Sequence, residues 1–268
     1  MSPRSYLYVP ASRPEMLAKA GDRGADALIV DLEDAVAPSR KVEARLTLRS
    51  FLPGPAEETW VRVNNHPDLL TDDVAACGGA AGIVLAKAEP GSLAQAASMT
   101  SRPLIPLIET AAGLLAAAEM AAVPGVERLA IGEADLSAEL GVTPGDDGVE
   151  LLYARSRLVV ASAAAGIDAP VGPVFTDFRD AAGLRRSTEA LARLGFGSRP
   201  AIHPAQVQVI NETLTPTPEQ LADARELIGA FEEALAAGAG AAAADGVMFD
   251  EAVVRQARRI LDRARPAP

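Results

Sequence analysis

The chain has 268 residues, 49% of them hydrophobic, and a formal net charge of −11. A chain of this length can bury one large core. The acidic charge leaves no basic surface for a nucleic acid, and no apolar run reaches the roughly 18 residues of a membrane span. Its one cysteine, Cys77, cannot form an internal disulfide. The N-terminal sequence MSPRSYLYVPAS lacks the apolar core of a signal peptide. We therefore expect a soluble, cytoplasmic protein with neither nucleic acid nor membrane as a partner.

Eight short apolar runs are candidate strands. They are residues 5–9, 27–31, 59–63, 82–86, 104–108, 128–132, 170–175 and 199–203. Helical patterns lie between them, among them 13–21, 40–50, 91–98, 113–121, 151–165 and 180–194. Such alternation indicates a parallel sheet, and eight repeats in this length favour a closed (β/α)₈ TIM barrel over an open doubly wound sheet. No G-x-G-x-x-G motif follows an early strand, so a dinucleotide-binding sheet has no support.

The C-terminal part departs from this alternation. After a helical pattern at about 217–237, residues 236–246 form an Ala/Gly tract that is typical of a linker, although its alanines could extend the helix. Residues 247–268 predict an extended turn and an amphipathic helix. We therefore expect a barrel domain at 1–235, a linker at 236–246, and a C-terminal segment at 247–268 that packs on its own barrel or on a neighbouring subunit.

Polar residues follow several of the predicted strands. In barrels of this kind the active site is built at the C-terminal ends of the strands, so these side chains should converge on one mouth. The first polar groups are Asp31, Arg62, Lys87, Glu109, Asp135 and His203, with Glu33 and Asp34 directly behind the first.

Glu109 ends the apolar run of PLIETAAG, and a carboxylate in that position needs a partner because burying it alone is costly. A salt bridge or a helix cap would be an ordinary explanation. Asp135, at the end of the next strand in IGEADL, offers a second carboxylate, and Mg²⁺ is typically held by one or two carboxylates with waters and substrate oxygens. Glu133 is a rival for this role. We prefer Asp135, which lies two residues further into the loop.

Two cations complete the predicted mouth. Arg62, within WVRVNN, should point into the barrel, where its planar fork suits a substrate carboxylate or a structural salt bridge to Asp31 or Glu33. Lys87 could be the nucleophile of a Schiff-base aldolase. Glu89 lies two residues from Lys87, and a lysine beside carboxylates should stay charged, which disfavours that role.

Further cations follow the first two strands on the loop side of the barrel and could contact the phosphates of an anionic substrate. They are Arg13, Lys19, Lys41 and Arg45. Each of them could equally be a solvated helix residue with an ordinary ion pair.

Nine segments of the chain together form a familiar pattern: YLYVPASRPEMLAKA, LIVDLEDAVAPSRKVEAR, VRVNN, VLAKAE, PLIETAAGLLAAAEMA, LLYARSRLVVASAAAGI, TDFRD, LGFGSRPAIHPAQVQVIN and MFDEAVVRQARRIL. In these segments and in their order, nearly the whole chain resembles the citrate lyase β-subunit-like (CitE-like) branch of the HpcH/HpaI aldolase family. Three motifs differ from the usual family pattern. Ala112 stands where arginine is common after ETA, LAKAE replaces LPKAE, and GEADL replaces G-[SA]-E-D-L.

The resemblance implies a Mg²⁺-dependent (β/α)₈ barrel that cleaves or forms carbon–carbon bonds in acyl thioesters and assembles as a homotrimer or homohexamer. It implies that Glu109 and Asp135 bind Mg²⁺, that Arg62 anchors a substrate carboxylate, and that Glu33 lies near the metal and its waters. Asp250 would be donated by a neighbouring subunit as the acid/base. If the thioester is that of coenzyme A, the candidates to contact its phosphates are Arg13, Lys19, Lys41 and Arg45.

We therefore expect a lyase that splits a 3-hydroxyacyl thioester, such as citryl-CoA, malyl-CoA or citramalyl-CoA, into an acyl thioester and a 2-oxoacid. The thioester could belong to CoA or to an acyl-carrier protein, and the reaction could run as a condensation. Two alternatives stay open: a metal-dependent aldolase acting on free 4-hydroxy-2-oxoacids, and a non-catalytic subunit for acyl-CoA binding or assembly.

Overall fold

The structure is a computed structural model that describes residues 2–52, 58–238, 242–244 and 247–264. The chain divides into two units, residues 2–212 and residues 213–268. The domain boundaries expected at 235 and 246 stay predictions. Within the expected linker, residues 239–241 and 245–246 lie outside the described residues.

The larger unit is built on one parallel sheet. Its strands are β1 (Ser5–Pro10), β2 (Ala27–Asp31), β3 (Thr59–Val63), β4 (Gly82–Leu85), β5 (Leu104–Ile108), β6 (Ala130–Ile131) and β7 (Arg199–Ala201). Their order in space is β6-β5-β4-β3-β2-β1-β7, and all of these pairings are parallel. Between β6 and β7, Val171 forms parallel bridges to Ala130 and to Ser198, which closes the sheet. The expected α/β barrel is confirmed.

The predicted strand at 170–175 contributes only this bridging residue. Pro170 and Pro173 have no N–H to donate to a ladder, so the segment cannot pair along its length. The two donors between the prolines are both used: the N–H of Val171 bonds to Leu129 O at 2.8 Å, and that of Gly172 bonds to Ser198 O at 2.8 Å.

Helices alternate with these strands. They are α1 (Pro14–Leu17), α2 (Lys41–Phe51), α3 (Pro67–Ala76), α4 (Pro90–Met99), α5 (Ala111–Leu115), α6 (Ala117–Ala121), α7 (Glu133–Leu140), α8 (Leu152–Ala165), α9 (Ala181–Leu194) and α10 (Pro204–Leu214). The pattern at 113–121 predicts one helix where the structure has two, α5 and α6. The side chain of Arg157 donates to the carbonyls of Leu114 and Leu115, which competes with helical hydrogen bonding at this point.

Alternate residues of the strands point into the barrel and form its core. Tyr6, Ile29, Trp60, Val84 and Ile105 belong to this buried cluster, and the rings of Tyr6 and Trp60 meet edge to face at 6.4 Å. Side chains that point inward beyond this layer lie at the C-terminal ends of the strands. The core therefore forms the floor beneath the expected mouth.

The smaller unit contains α11 (Pro218–Ala236), β8 (Ala242–Ala244), β9 (Val247–Phe249) and α12 (Glu251–Asp262), with β8 and β9 paired antiparallel. Helices α11 and α12 pack through Phe231 and Val254, which are both buried. In the part of the chain that the structure describes, no helix is both long enough and apolar enough to cross a membrane.

Candidate active site

A cavity of about 390 Å³ extends from the barrel interior to the loops that follow the strands. Its charged lining residues are Asp31, Arg62, Glu109, Glu133 and Asp135. Its apolar wall includes Tyr6, Tyr8, Ile29, Val84, Ile105 and Leu107. The structure thus brings the predicted strand-end carboxylates and the predicted arginine to one cavity, as expected for the C-terminal face of a barrel.

Arg62 and Asp31 form a two-point ion pair at the ends of β3 and β2. Arg62 Nε and Nη2 donate to the two carboxylate oxygens at 2.7 and 2.8 Å. The same carboxylate accepts the backbone N–H groups of Glu33 and Ala35 at 2.9 and 3.0 Å, which fixes the turn after β2. Burial disfavours a charged Arg62, but the hydrogen bonds and charge of Asp31 outweigh it and raise the pKa of Arg62. The guanidinium is therefore held charged, 5.0 Å from the ring centre of Tyr8.

Glu33 lies between two cations. Its Oε2 is 3.1 Å from Arg62 Nη1, and its Oε1 accepts from Lys87 Nζ at 2.5 Å. Burial raises the pKa of Glu33 against the lowering effect of both cations. Burial also opposes the charged form of Lys87, but Glu33 outweighs this and raises the pKa of Lys87. A charged, ion-paired lysine is a poor Schiff-base nucleophile, as its neighbouring carboxylates predict.

Glu109 directly follows β5, whose five residues are all buried. It is only 2% exposed. Its Oε1 accepts the backbone N–H of Lys87 at 2.7 Å, and its Oε2 accepts no hydrogen bond from the described residues. Burial raises the pKa of Glu109 to about 7, while the N–H and the charge of Lys87 lower it. One oxygen of a buried carboxylate is thus left to bind a ligand.

Gly132, between β6 and α7, allows Glu109 to occupy this position. A Cβ on Gly132 would lie 2.4 Å from Glu109 Oε2, so only glycine fits without displacing the carboxylate. Of the two acids that follow, Glu133 is taken by Arg155, whose Nε and Nη2 donate to it at 2.5 and 2.8 Å. Asp135 is exposed, lines the cavity and has no hydrogen-bond partner among the described residues.

This donor set fits a hard divalent cation. Glu109 and Asp135 both line the cavity and both have carboxylate oxygens without a donor, and Mg²⁺ accepts such a pair with waters and substrate oxygens completing its coordination. Within the described ranges, no group of three or more His, Cys, Asp or Glu side chains could hold a metal ion. These residues therefore do not form a site in which His, Cys, Asp and Glu side chains alone surround the metal.

Two of the predicted CoA contacts have other partners. Lys41 is only 7% exposed, and its Nζ donates to Leu32 O, Glu33 O and Asn64 Oδ1 at 2.6, 2.7 and 2.9 Å. Arg45 is also buried and pairs with Asp73 at 2.7 Å. This geometry argues against a phosphate-binding role for both cations.

The other predicted residues lie in varied settings. Arg13 and Lys19 are exposed beside α1, with the guanidinium of Arg13 3.7 Å from Glu15. His203 stacks on Phe178 with ring centres 4.7 Å apart and is not among the cavity-lining residues.

In the smaller unit, Asp250 caps α12, because its Oδ1 accepts the N–H groups of Ala252 and Val253 at 2.9 and 3.4 Å. Its donation to a neighbouring subunit stays a prediction.

Three features of the site escaped the sequence analysis. Gly132 is the first. Its position in the sequence, between a strand and a helix that carries carboxylates, could have indicated a close approach of another group to its backbone. The others are the side chain of Asn65, which donates to Lys87 O at 2.6 Å, and the positive φ of Lys87, 45°. Nothing in the sequence around Lys87 indicates that backbone conformation, because glycine or asparagine usually adopts it.

The chain is similar in sequence and in overall structure to known proteins. The sequence profile of the family described as HpcH/HpaI aldolase/citrate lyase matches residues 4–204. A (3S)-malyl-CoA thioesterase of Cereibacter sphaeroides is 35% identical, with 97% of this chain and 94% of that protein covered. A mitochondrial citramalyl-CoA lyase of Rattus norvegicus is 34% identical, with 97% and 86% covered. Among solved structures, CitE of Mycobacterium tuberculosis in complex with magnesium, acetoacetate and coenzyme A matches with a TM-score of 0.84 and 35% identity, and 97% of each chain is covered.

Proposed function

Because the chain belongs to the HpcH/HpaI aldolase/citrate lyase family, we propose that it is a Mg²⁺-dependent carbon–carbon lyase. It cleaves or forms a 3-hydroxyacyl thioester, such as citryl-CoA, malyl-CoA or citramalyl-CoA, and the other product is a 2-oxoacid. The observation that carries the proposal is the cavity in which Glu109, Asp135 and Arg62 meet, because two carboxylates and one guanidinium are the groups that this chemistry needs.

Glu109 and Asp135 are the proposed Mg²⁺ ligands. Glu109 is held from one side by the N–H of Lys87, which leaves Oε2 as its free oxygen. Asp135 lies in the first turn of α7 with no competing partner among the described residues, whereas Glu133 is held by Arg155. The ion pair of Glu133 with Arg155 supports the choice of Asp135 over Glu133. When bound, Mg²⁺ would supply a Lewis acid that stabilises the carbonyl of the departing 2-oxoacid.

Arg62 is the proposed anchor for the carboxylate of that 2-oxoacid. Asp31 and Glu33 engage only some of the N–H groups of its guanidinium, so others can still donate to a substrate. The pair with Asp31 fixes the plane of the guanidinium before substrate arrives, so little rotamer freedom is lost on binding.

Proton transfer completes the proposed reaction. A base takes the proton of the substrate hydroxyl, the carbon–carbon bond breaks as the hydroxyl carbon becomes a carbonyl, and the electron pair moves onto the thioester as an enolate. An acid then protonates that enolate. We assign the role of the acid to Asp250 from a neighbouring subunit. Glu33 would lie near the metal, beside the waters that it binds.

Assembly and thioester binding are also part of the proposal. We propose a homotrimer or homohexamer, which light scattering would establish. Mixing inactive Glu109→Gln and Asp250→Asn chains should then restore activity if sites are shared between subunits. Arg13 and Lys19 stay candidates for the phosphates of CoA because they are exposed after β1, and the cytoplasmic location stays a prediction.

Product analysis with citryl-CoA, malyl-CoA and citramalyl-CoA tests the proposed reaction. A lyase releases a 2-oxoacid from one of them with Mg²⁺, but not with EDTA and not in the Glu109→Gln variant.

A relative named as a malyl-CoA thioesterase makes hydrolysis a second candidate activity. Hydrolysis would release free CoA and malate without a 2-oxoacid. Turnover of free 4-hydroxy-2-oxoacids alone would indicate the aldolase, and Mg²⁺ binding without any turnover would indicate a carrier-dependent or non-catalytic subunit.

A further inference from the structure

Lys87 adopts a backbone conformation that is unfavourable for residues other than glycine. Its φ is 45°, and no other non-glycine residue in the described parts of the chain has a positive φ. An L-residue in this region is less stable by roughly 1–2 kcal/mol than in the right-handed region. Strain of this kind persists where surrounding contacts hold it, and it is frequent at functional sites.

The contacts that hold Lys87 in place come from three directions. The N–H of Ala86 donates to Val63 O in β3 at 3.2 Å, and the N–H of Ala88 donates to Leu107 O in β5 at 3.0 Å. The residues on either side of Lys87 are thus tied to the two neighbouring strands. The carbonyl of Lys87 itself accepts from Asn65 Nδ2 at 2.6 Å, in the loop after β3.

This conformation directs the N–H of Lys87 to Glu109 Oε1 at 2.7 Å. No other donor contacts Glu109 within the described residues. A negative φ would change the angle between the peptide that carries this N–H and the peptide that carries the Lys87 carbonyl. The N–H could then not reach Glu109 while the carbonyl and the N–H of Ala88 kept their hydrogen bonds. The buried carboxylate would lose its hydrogen bond, and Oε2 would no longer be the one free oxygen.

We propose that Asn65 and the strained peptide of Lys87 form a positioning device for Glu109: Asn65 holds Lys87 at positive φ so that its N–H fixes Oε1 and presents Oε2 to the metal. Neither residue touches the reacting atoms, so both are positioning residues. The inference rests on the proposed function, because it takes Glu109 as a metal ligand.

A lysine is more useful than a glycine here because its side chain serves a second carboxylate. Lys87 Nζ donates to Glu33 at 2.5 Å, so one residue fixes Glu109 through its backbone and Glu33 through its ammonium group. Glycine would keep the first contact without strain but lose the second. The two roles can therefore be separated by substitution.

A double-mutant cycle tests the device, with Mg²⁺ affinity measured by calorimetry on the full chain. Asn65→Ala should weaken Mg²⁺ binding about tenfold, the lower end of the usual effect of groups that orient metal ligands. In the Lys87→Gly background the same substitution should cost about threefold or less, because glycine adopts positive φ without a penalty. Asn65→Ala also loses a hydrogen bond, so its melting temperature without metal should fall modestly; a merely structural role would predict that fall without the loss of Mg²⁺ affinity.

The matched control is Asn211→Ala. Asn211 Nδ2 donates to Gly24 O at 2.9 Å, so this variant loses the same kind of hydrogen bond away from the cavity and should keep wild-type Mg²⁺ affinity. Equal effects of Asn65→Ala in the two backgrounds, or no effect in either, would overturn the inference. If Glu109→Gln binds Mg²⁺ normally, the metal assignment itself is wrong, whereas its loss of binding leaves only the device to be judged by the cycle.

Discussion

Replacing Gly132 by alanine should displace Glu109 and weaken the metal site without harming the local backbone. Gly132 has φ −107° and ψ 87°, so alanine has no positive-φ strain there. Its Cβ, however, would lie 2.4 Å from Glu109 Oε2 and 2.7 Å from Glu109 Cβ. Overpacking of this kind costs about 1–3 kcal/mol. A displaced Oε2 should lower Mg²⁺ affinity by about 10- to 100-fold, as loss of ligand orientation does elsewhere.

Calorimetric titration with Mg²⁺ and urea unfolding of the metal-free protein measure the two effects of Gly132→Ala separately. Gly91→Ala is the matched control, because Gly91 lies in the first turn of α4 with nothing within 4 Å of an added Cβ. The control should keep its Mg²⁺ affinity. If Gly132→Ala binds Mg²⁺ within about twofold of the wild type while remaining folded, the close approach between Gly132 and Glu109 does not position a ligand.

Three further substitutions have defined outcomes. Glu109→Gln should raise the unfolding free energy of the metal-free protein by up to about 3 kcal/mol at pH 8 and by little at pH 4. The reason is that burial raises the pKa of Glu109 from 4.5 to about 7, so the wild-type native state loses stability as the pH rises through this range. Equal urea midpoints at pH 8 would contradict this. Arg62→Lys keeps a charge but not the two-point contact with Asp31, so kcat/KM should fall at least tenfold while Mg²⁺ affinity is retained. Lys41→Met should lower the unfolding free energy by about 3 kcal/mol, because buried oxygens lose their donor. A role in phosphate binding would instead raise the KM for the CoA thioester and leave the KM for its pantetheine analogue unchanged.

The barrel was predictable because each strand carries its own local signal. The run at 104–108 is apolar throughout, the run at 27–31 is apolar up to its last residue, Asp31, and both runs are buried throughout in the structure. The run at 170–175 is also mostly apolar, but its prolines remove the donors that a strand needs, so it contributes a single bridging residue. Burial is encoded in hydrophobicity, whereas ladder formation also depends on N–H groups that a count of apolar residues does not reveal.

The site was predictable only where position along a strand determines direction. Glu109 directly follows β5, and Arg62 is the last but one residue of β3, so the barrel geometry alone brings them to the cavity. Lys41 and Arg45 are on a helix after a strand, and their side chains turn inward to buried acceptors instead of outward to solvent. Which partner a long side chain selects depends on carbonyls and carboxylates that are distant in sequence. The positive φ of Lys87 is likewise imposed by Asn65 and two neighbouring strands.

The charge of the cavity gives the proposed cation a role in binding as well as in chemistry. Of the five charged residues that line it, four are acidic, and the one cation, Arg62, is already paired with Asp31. A substrate that carries a carboxylate would meet a negative surface there, and like charges at close range repel strongly in a partly buried site. A divalent cation between Glu109 and Asp135 would offset both carboxylates and let Arg62 and the metal attract the anion together. Removal of the metal by EDTA should therefore weaken substrate binding as well as abolish turnover. The ion that stabilises the departing 2-oxoacid would also reduce the repulsion between the acidic cavity and the substrate carboxylate.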